Sequence, residues 1–64
     1  MGNKALHDLI KERCGTDAAF ARKIAWFPQK VYKMLYQGYV PRINEAVTIS
    51  RALGITLDEL AAFF

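Results

Sequence analysis

The side chains with the most recognition chemistry in this sequence lie in one short segment. They are amides, ammonium groups and phenols, carried by Gln29, Lys30, Tyr32, Lys33, Tyr36 and Gln37. At about 100° per residue they fall on one side of a helix, and the apolar residues fall on the other. The apolar set is Pro28, Val31, Met34 and Leu35. A face of donors and positive charge is what reading bases in the DNA major groove requires, since that groove, about 12 Å wide, admits one α-helix.

Two short helices joined by a turn are predicted to hold this face outward. Thr16 can cap the first helix with its hydroxyl, and Phe20 and Ile24, four residues apart, share one face of it. Pro28 suits the first position of the second helix, because its φ is fixed and its missing N–H is not needed there. The intervening residues 25–27 are then a turn.

Positive charge is concentrated on this two-helix unit. The 64-residue chain has nine Lys and Arg against six Asp and Glu, which gives a net charge of +3. No carboxylate occurs from Ala18 to Asn44, and that segment carries Arg22, Lys23, Lys30, Lys33 and Arg42. The pattern favours a polyanionic partner. The alternative is a solvated basic face without a partner.

Helices are also predicted before and after the unit. Asn3 can cap a helix from Lys4 to about Arg13, which Gly15 ends. A fourth helix is predicted from Ile43 to Leu53, with Gly54 after it. Its apolar arc consists of Ile43, Ala46, Val47, Ser50 and Leu53.

The C-terminal segment predicts a short fifth helix. Thr56 and Glu59 have the spacing of a capping box, in which each side chain accepts from the other residue's backbone amide. Phe63 and Phe64 then either fold back on the core or meet a second copy of the chain, and we expect the second outcome, a dimer interface. The sequence as a whole predicts a compact all-α, five-helix domain that spans residues 1–64.

The loop after the polar helix has a predicted role of its own. Gly38 and Pro41 mark it as a loop. The Gly38 amide, Tyr39 and Arg42 can lie along a phosphate backbone, where contacts position a protein without reading sequence. The alternative is an ordinary connection with a tyrosine packed over it.

Several function classes are disfavoured by the composition. His7 and Cys14 are the single residues of their types, so neither a metal site nor an internal disulfide is expected. With the carboxylates they form no nucleophile, base and orienting group at plausible spacing. The start, Met1 to Leu6, lacks the apolar run of a signal peptide, and no run reaches the roughly 20 apolar residues of a membrane span. We therefore expect a cytoplasmic, non-enzymatic protein without cofactor, membrane contact or small-molecule substrate.

The order and spacing of these features resemble the Cro-type helix-turn-helix family of phage repressors and bacterial regulators. The likeness runs from Leu6 to Leu60. It rests on Thr16, Phe20, Ala21, Ile24, Pro28, Val31, Gly38, Pro41 and the segment from Ala52 to Leu60. The resemblance implies a lambda-repressor-like fold and a Cro-like repressor of phage or prophage type that binds double-stranded DNA, as a homodimer at least when on DNA.

The resemblance also implies roles for particular residues. Base-reading positions fall on Pro28, Gln29, Lys30 and Lys33. The family's phosphate-contacting positions fall on Asp17, Tyr36 and the loop from Gly38 to Arg42. With the neighbouring basic and hydroxyl side chains, the predicted backbone contacts are Thr16, Arg22, Lys23, Tyr32, Tyr36, Gly38, Tyr39 and Arg42.

Three positions depart from the family pattern. Asp17 replaces the usual Gln and brings a negative charge to a site expected to face phosphate. Ala25 replaces the usual Gly in the turn, where a left-handed conformation would cost Ala about 1 kcal/mol. The C-terminal end of the second helix, from Tyr36 to Gly38, is one residue longer than usual, which affects the direction in which the following loop points.

A second class of function uses the same fold against a protein. An antitoxin-like or anti-repressor-like module would present Tyr32, Tyr36, Tyr39 and the terminal phenylalanines to its partner, since aromatic residues are favoured in such interfaces. Fold alone does not decide between the two classes.

Overall fold

Five α-helices follow one another within residues 3–64. A computed structural model describes residues 3–64 and contains no strand within them. The helices are α1 (Lys4–Cys14), α2 (Asp17–Lys23), α3 (Pro28–Tyr36), α4 (Ile43–Leu53) and α5 (Leu57–Ala61). The all-α prediction is confirmed, and each boundary lies close to its predicted residue. Met1 and Gly2, on which the expectation about a signal peptide partly rests, lie outside the described residues.

Side-chain caps fix the starts of three helices where the sequence predicted them. The Asn3 side chain accepts from the Leu6 amide at 3.2 Å, and the Thr16 hydroxyl accepts from the Ala19 amide at 3.0 Å. Thr56 and Glu59 form the reciprocal capping box, with bonds of 3.1 and 3.0 Å. These bonds satisfy amides that the first turn of a helix leaves without a partner.

The turn between α2 and α3 contains a strained residue. Ala25 adopts φ +59°, the left-handed region that costs an L-residue roughly 1–2 kcal/mol. The turn is held by the Trp26 amide, which donates to the Ala21 carbonyl at 2.8 Å. Pro28 is the first residue of α3, as predicted, and Phe27 is its N-cap. The path of the chain from α2 to α3 is therefore constrained by this hydrogen bond and by the fixed φ of Pro28.

One apolar core joins the helices. Its buried side chains are Leu6, Ile10, Phe20, Ala21, Ile24, Val31, Met34, Leu35, Ile49, Leu53 and Leu60. Helix α1 packs against α2, α3 and α4, and α5 packs against α4. The Cα radius of gyration is 10.3 Å, close to the roughly 11 Å expected for a compact chain of this length. Helix α3 is thus anchored along its inner face.

The predicted apolar arc of α4 is buried only in part: Ser50 and Leu53 are buried, and Ala46 and Val47 are half-buried. Ile49, outside the predicted arc, is also buried, and the Ser50 hydroxyl donates to the Val47 carbonyl at 2.9 Å. Ile43, in contrast, is 69% exposed, so its predicted place in the core is wrong. It is the first residue of α4, and the helix contacts the core from Ala46 onward. No helix within residues 3–64 is long and apolar enough to cross a membrane.

Candidate nucleic-acid interface

Helix α3 presents a polar face to solvent. Val31, Met34 and Leu35 are each 1% exposed and form its inner face. Gln29 and Lys33, one helical turn apart on the opposite side, are exposed. This is the orientation that the periodicity predicted, except that Pro28, which was placed on the apolar side, is exposed at the first position of the helix. The centre of the outward face therefore carries one amide and one ammonium group.

Aromatic residues form one flank of this face. The Tyr32 and Tyr36 rings lie 4.8 Å apart between centroids, and the Tyr36 ring lies 5.9 Å from that of His7. His7 Nε2 is 3.3 Å from Asp17 Oδ1. This row connects α3 to α1 and to the start of α2. The Asp17 carboxylate is directed towards His7, and it occupies the first turn of a helix, where the dipole favours negative charge.

The other flank is occupied by Lys30, whose ammonium group is engaged within the protein. Its Nζ forms an ion pair with Glu45 and lies 4.4 Å from the centroid of the Trp26 ring. The Tyr39 ring is 5.8 Å from the same atom. Lys30 shares α3 with Gln29 and Lys33, but these contacts direct it towards α4 and away from the centre of the outward face.

Glu45 links the loop, α3 and α4. One carboxylate oxygen accepts from the Arg42 amide at 2.9 Å and from the Tyr39 hydroxyl at 2.7 Å, and the other accepts from Lys30. These bonds, with that from Lys30 the largest cause, lower the pKa of Glu45 to about 2. The hydrogen bond that the Tyr39 hydroxyl donates to Glu45 raises the pKa of Tyr39. Glu45 is therefore an anion at neutral pH, and the loop is held against α3.

The remaining predicted contacts with the DNA backbone lie mostly at the surface. Arg22 and Lys23 are exposed in the last turn of α2, and Arg42 is exposed before α4. Gly38 is exposed with φ +76°, a conformation that favours glycine. Tyr39 is half-buried, with its hydroxyl bonded to Glu45. The tyrosine thus packs over the loop, which was the alternative predicted for it.

The two terminal phenylalanines differ in their surroundings. Phe63 packs against the core of its own chain, and its carbonyl accepts from the Asn3 side chain at 2.8 Å. Phe64 remains 45% exposed. It borders an open apolar groove between the loop, α4 and α5, which is lined by Val40, Pro41, Ile43, Ala46, Leu57 and Phe64.

One exposed residue at the start of α3 was not predicted from the sequence. Phe27 is 81% exposed, more than any other large apolar side chain described. The sequence placed it only in the turn, beside Trp26, which packs partly into the core. The available signal was a large apolar residue at an N-cap, where Ser, Thr, Asp and Asn are preferred.

Two other sources of functional information, metal-binding clusters and similar proteins, add nothing to this description. Across residues 3–64, no three His, Cys, Asp or Glu side chains come together in a way that could hold a metal ion. Comparisons with protein-family models, curated proteins and solved structures give no match. The resemblance to the Cro-type family therefore stays a prediction, and the geometry around α3 is what bears on function.

Proposed function

We propose that this protein is a sequence-specific double-stranded DNA-binding regulator that places α3 in the major groove. Helices α2 and α3 would be the helix-turn-helix of a lambda-repressor-like domain. The observation that carries the proposal is the orientation of α3. Its apolar face is buried, and Gln29 and Lys33 are left free at the centre of its solvent face.

The chemistry of these two side chains suits base edges. The Gln29 amide can both donate and accept, which matches the N6 and N7 groups of adenine. Lys33 donates to guanine O6 and N7. Each good contact contributes about 1–3 kcal/mol of discrimination between bases. Because the ammonium group of Lys30 is held by Glu45, we assign Lys30 the role of positioning α3.

The charges around α3 support contact with phosphates. Arg22, Lys23 and Arg42 are exposed basic residues next to the helix pair. Glu45 is paired with Lys30, whereas Asp17 Oδ1 lies 3.3 Å from His7 Nε2 and has no hydrogen-bond partner among the described residues. The exposed basic residues outnumber the unpaired Asp17, so binding to DNA should weaken steeply as salt rises.

A dimer would place two copies of α3 on successive major-groove faces, about 34–36 Å apart. The exposed Phe64 and the adjoining groove supply apolar surface for such a contact. A dimer bound at an operator would repress transcription by excluding polymerase. Dimer formation on the duplex can be followed by analytical ultracentrifugation with and without DNA.

The proposal is tested by selecting bound duplexes from a random pool and then measuring the affinity of Lys33→Ala. We expect this variant to lose about 5- to 150-fold in affinity for the selected site and to become indifferent to one base pair. Lys11→Ala removes the same charge from the exposed surface of α1 and is the matched control. An equal loss of affinity for every DNA sequence would show that Lys33 contacts phosphate and does not read a base.

A protein-binding module is the second candidate. Phe27 and Tyr32 are 81% and 54% exposed, and exposed aromatic side chains of this kind are enriched in protein interfaces. A salt series with duplex DNA separates the two functions. A steep loss of affinity with salt supports DNA, and no binding to any duplex at low salt supports a protein partner.

A further inference from the structure

Phe27 contributes neither burial nor capping to the fold. It is 81% exposed, so its ring adds little to the core. It is the N-cap of α3, yet its side chain makes no capping hydrogen bond, and the absence of a cap typically costs about 1 kcal/mol. The packing in this turn is done by its neighbour Trp26. The identity of residue 27 is therefore not explained by stability.

The backbone nevertheless holds Phe27 in a defined place. Its carbonyl accepts from the Lys30 amide at 3.0 Å, and Pro28 follows it with a fixed φ. The ring thus projects from the N-terminal end of α3, two residues before Gln29. In helix-turn-helix complexes, the N-terminal residues of the recognition helix are the ones that contact base edges.

We propose that Phe27 selects thymine at one position of the bound site by packing against its 5-methyl group. This inference rests on the proposed DNA-binding function. The thymine methyl is the apolar feature of the major-groove edge, and a phenylalanine ring has no hydrogen-bonding group to offer any other base. Gln29 and Lys33 supply hydrogen-bonded contacts, and Phe27 adds an apolar contact from the N-terminal end of the same helix.

The experiment combines a protein change with a DNA change. Each thymine of a duplex selected by the wild-type protein is replaced singly by deoxyuridine, which pairs identically but lacks the methyl group. Affinities are then measured for the wild type, Phe27→Ala and Phe27→Leu. The last variant keeps an apolar side chain. Lys11→Ala, which shortens an exposed side chain of α1 outside the proposed DNA and dimer contacts, is the control for a surface change elsewhere.

We expect one thymine at which the wild type loses about fourfold in affinity on demethylation, the equivalent of one methyl group removed from an apolar contact. Phe27→Ala should bind the two duplexes equally, Phe27→Leu should keep part of the affinity ratio, and Lys11→Ala should keep all of it. Melting temperatures of the variants at residue 27 should match the wild type, since the ring is exposed.

Two results would overturn the inference, and they are distinguishable. If the protein enriches a defined site but every thymine-to-uracil ratio is the same in Phe27→Ala as in the wild type, Phe27 does not read thymine and the DNA-binding proposal stands. If no duplex is enriched or bound at low salt, the proposed function fails and the role of Phe27 fails with it.

Discussion

Replacing Glu45 with Gln should destabilise the fold at neutral pH and have no effect in strong acid. Glutamine has the same shape and can still accept hydrogen bonds from the Arg42 amide and the Tyr39 hydroxyl, so the change removes mainly the charge that holds Lys30. Glu45 is the point where α3, the loop and α4 meet, so the variant tests whether that junction is electrostatic.

The size of the effect follows from the pKa of Glu45. A value lowered from 4.5 to about 2 corresponds to about 3 kcal/mol in favour of the charged form in the folded protein. The Lys30 side chain is 40% exposed, and solvent screening reduces such a contribution. We therefore expect Glu45→Gln to lower the free energy of unfolding by about 1–2 kcal/mol at pH 7.

The lowered pKa of Glu45 also fixes the direction in which the stabilisation changes with pH. Because the folded-state pKa lies below the unfolded one, the stabilisation is complete above about pH 4.5 and is lost as pH falls towards 2. The difference between wild type and Glu45→Gln should shrink over that window. Glu59, whose pKa is lowered by the Thr56 amide and hydroxyl, titrates in both proteins and cancels from the difference.

Urea denaturation at a series of pH values measures this difference directly. Glu12→Gln, which neutralises an exposed carboxylate on α1, is the matched control and should change little. A difference between wild type and Glu45→Gln that stays constant from pH 7 to pH 2.5 would refute the electrostatic junction. Equal stability of the two proteins at pH 7 would also refute it. Lys30 would then have to be treated as a basic residue that is free to contact DNA.

Two further predictions concern the scaffold that holds α3. Leu35→Ala truncates a core side chain that is 1% exposed and should cost about 2–5 kcal/mol of stability, measured by urea denaturation. An unchanged denaturation midpoint would mean that α3 turns a different face towards the core. Ala25→Gly should stabilise by about 0.5–1 kcal/mol, because glycine accepts the φ of +59° without strain, and Ala18→Gly, at a helical position of α2, should have the opposite sign. A loss of stability in Ala25→Gly would show that the turn is not strained.

Local signals made the helices predictable from sequence. The caps at Asn3, Thr16 and Thr56, and the glycines after α1 and α4, act within a few residues of chain, so their partners can be counted off directly. The inner face of α3 followed from its 3.6-residue period. The exposure of Gln29 and Lys33, the basis of the candidate site, came from the same count.

Contacts between distant segments were not predictable in the same way. Lys30 lies on the polar side of α3 by periodicity, but its partner Glu45 is 15 residues away and is reached only once the loop folds back. Ile43 has the right spacing for the core and is exposed, because spacing does not say where along a helix the neighbouring elements begin. His7 lies close to Tyr36 and Asp17 from other helices, contacts that no local pattern in the sequence indicates.

The most direct test of the central proposal is the ratio of affinities for a selected duplex and a scrambled duplex, measured for the wild type and for the double variant Gln29→Ala/Lys33→Ala. The wild type should prefer the selected duplex by about a thousandfold or more. The double variant should lose most of that preference while still binding DNA in a salt-dependent way through Arg22, Lys23 and Arg42. An unchanged ratio in the double variant, with both proteins folded, would show that the outward face of α3 does not read DNA.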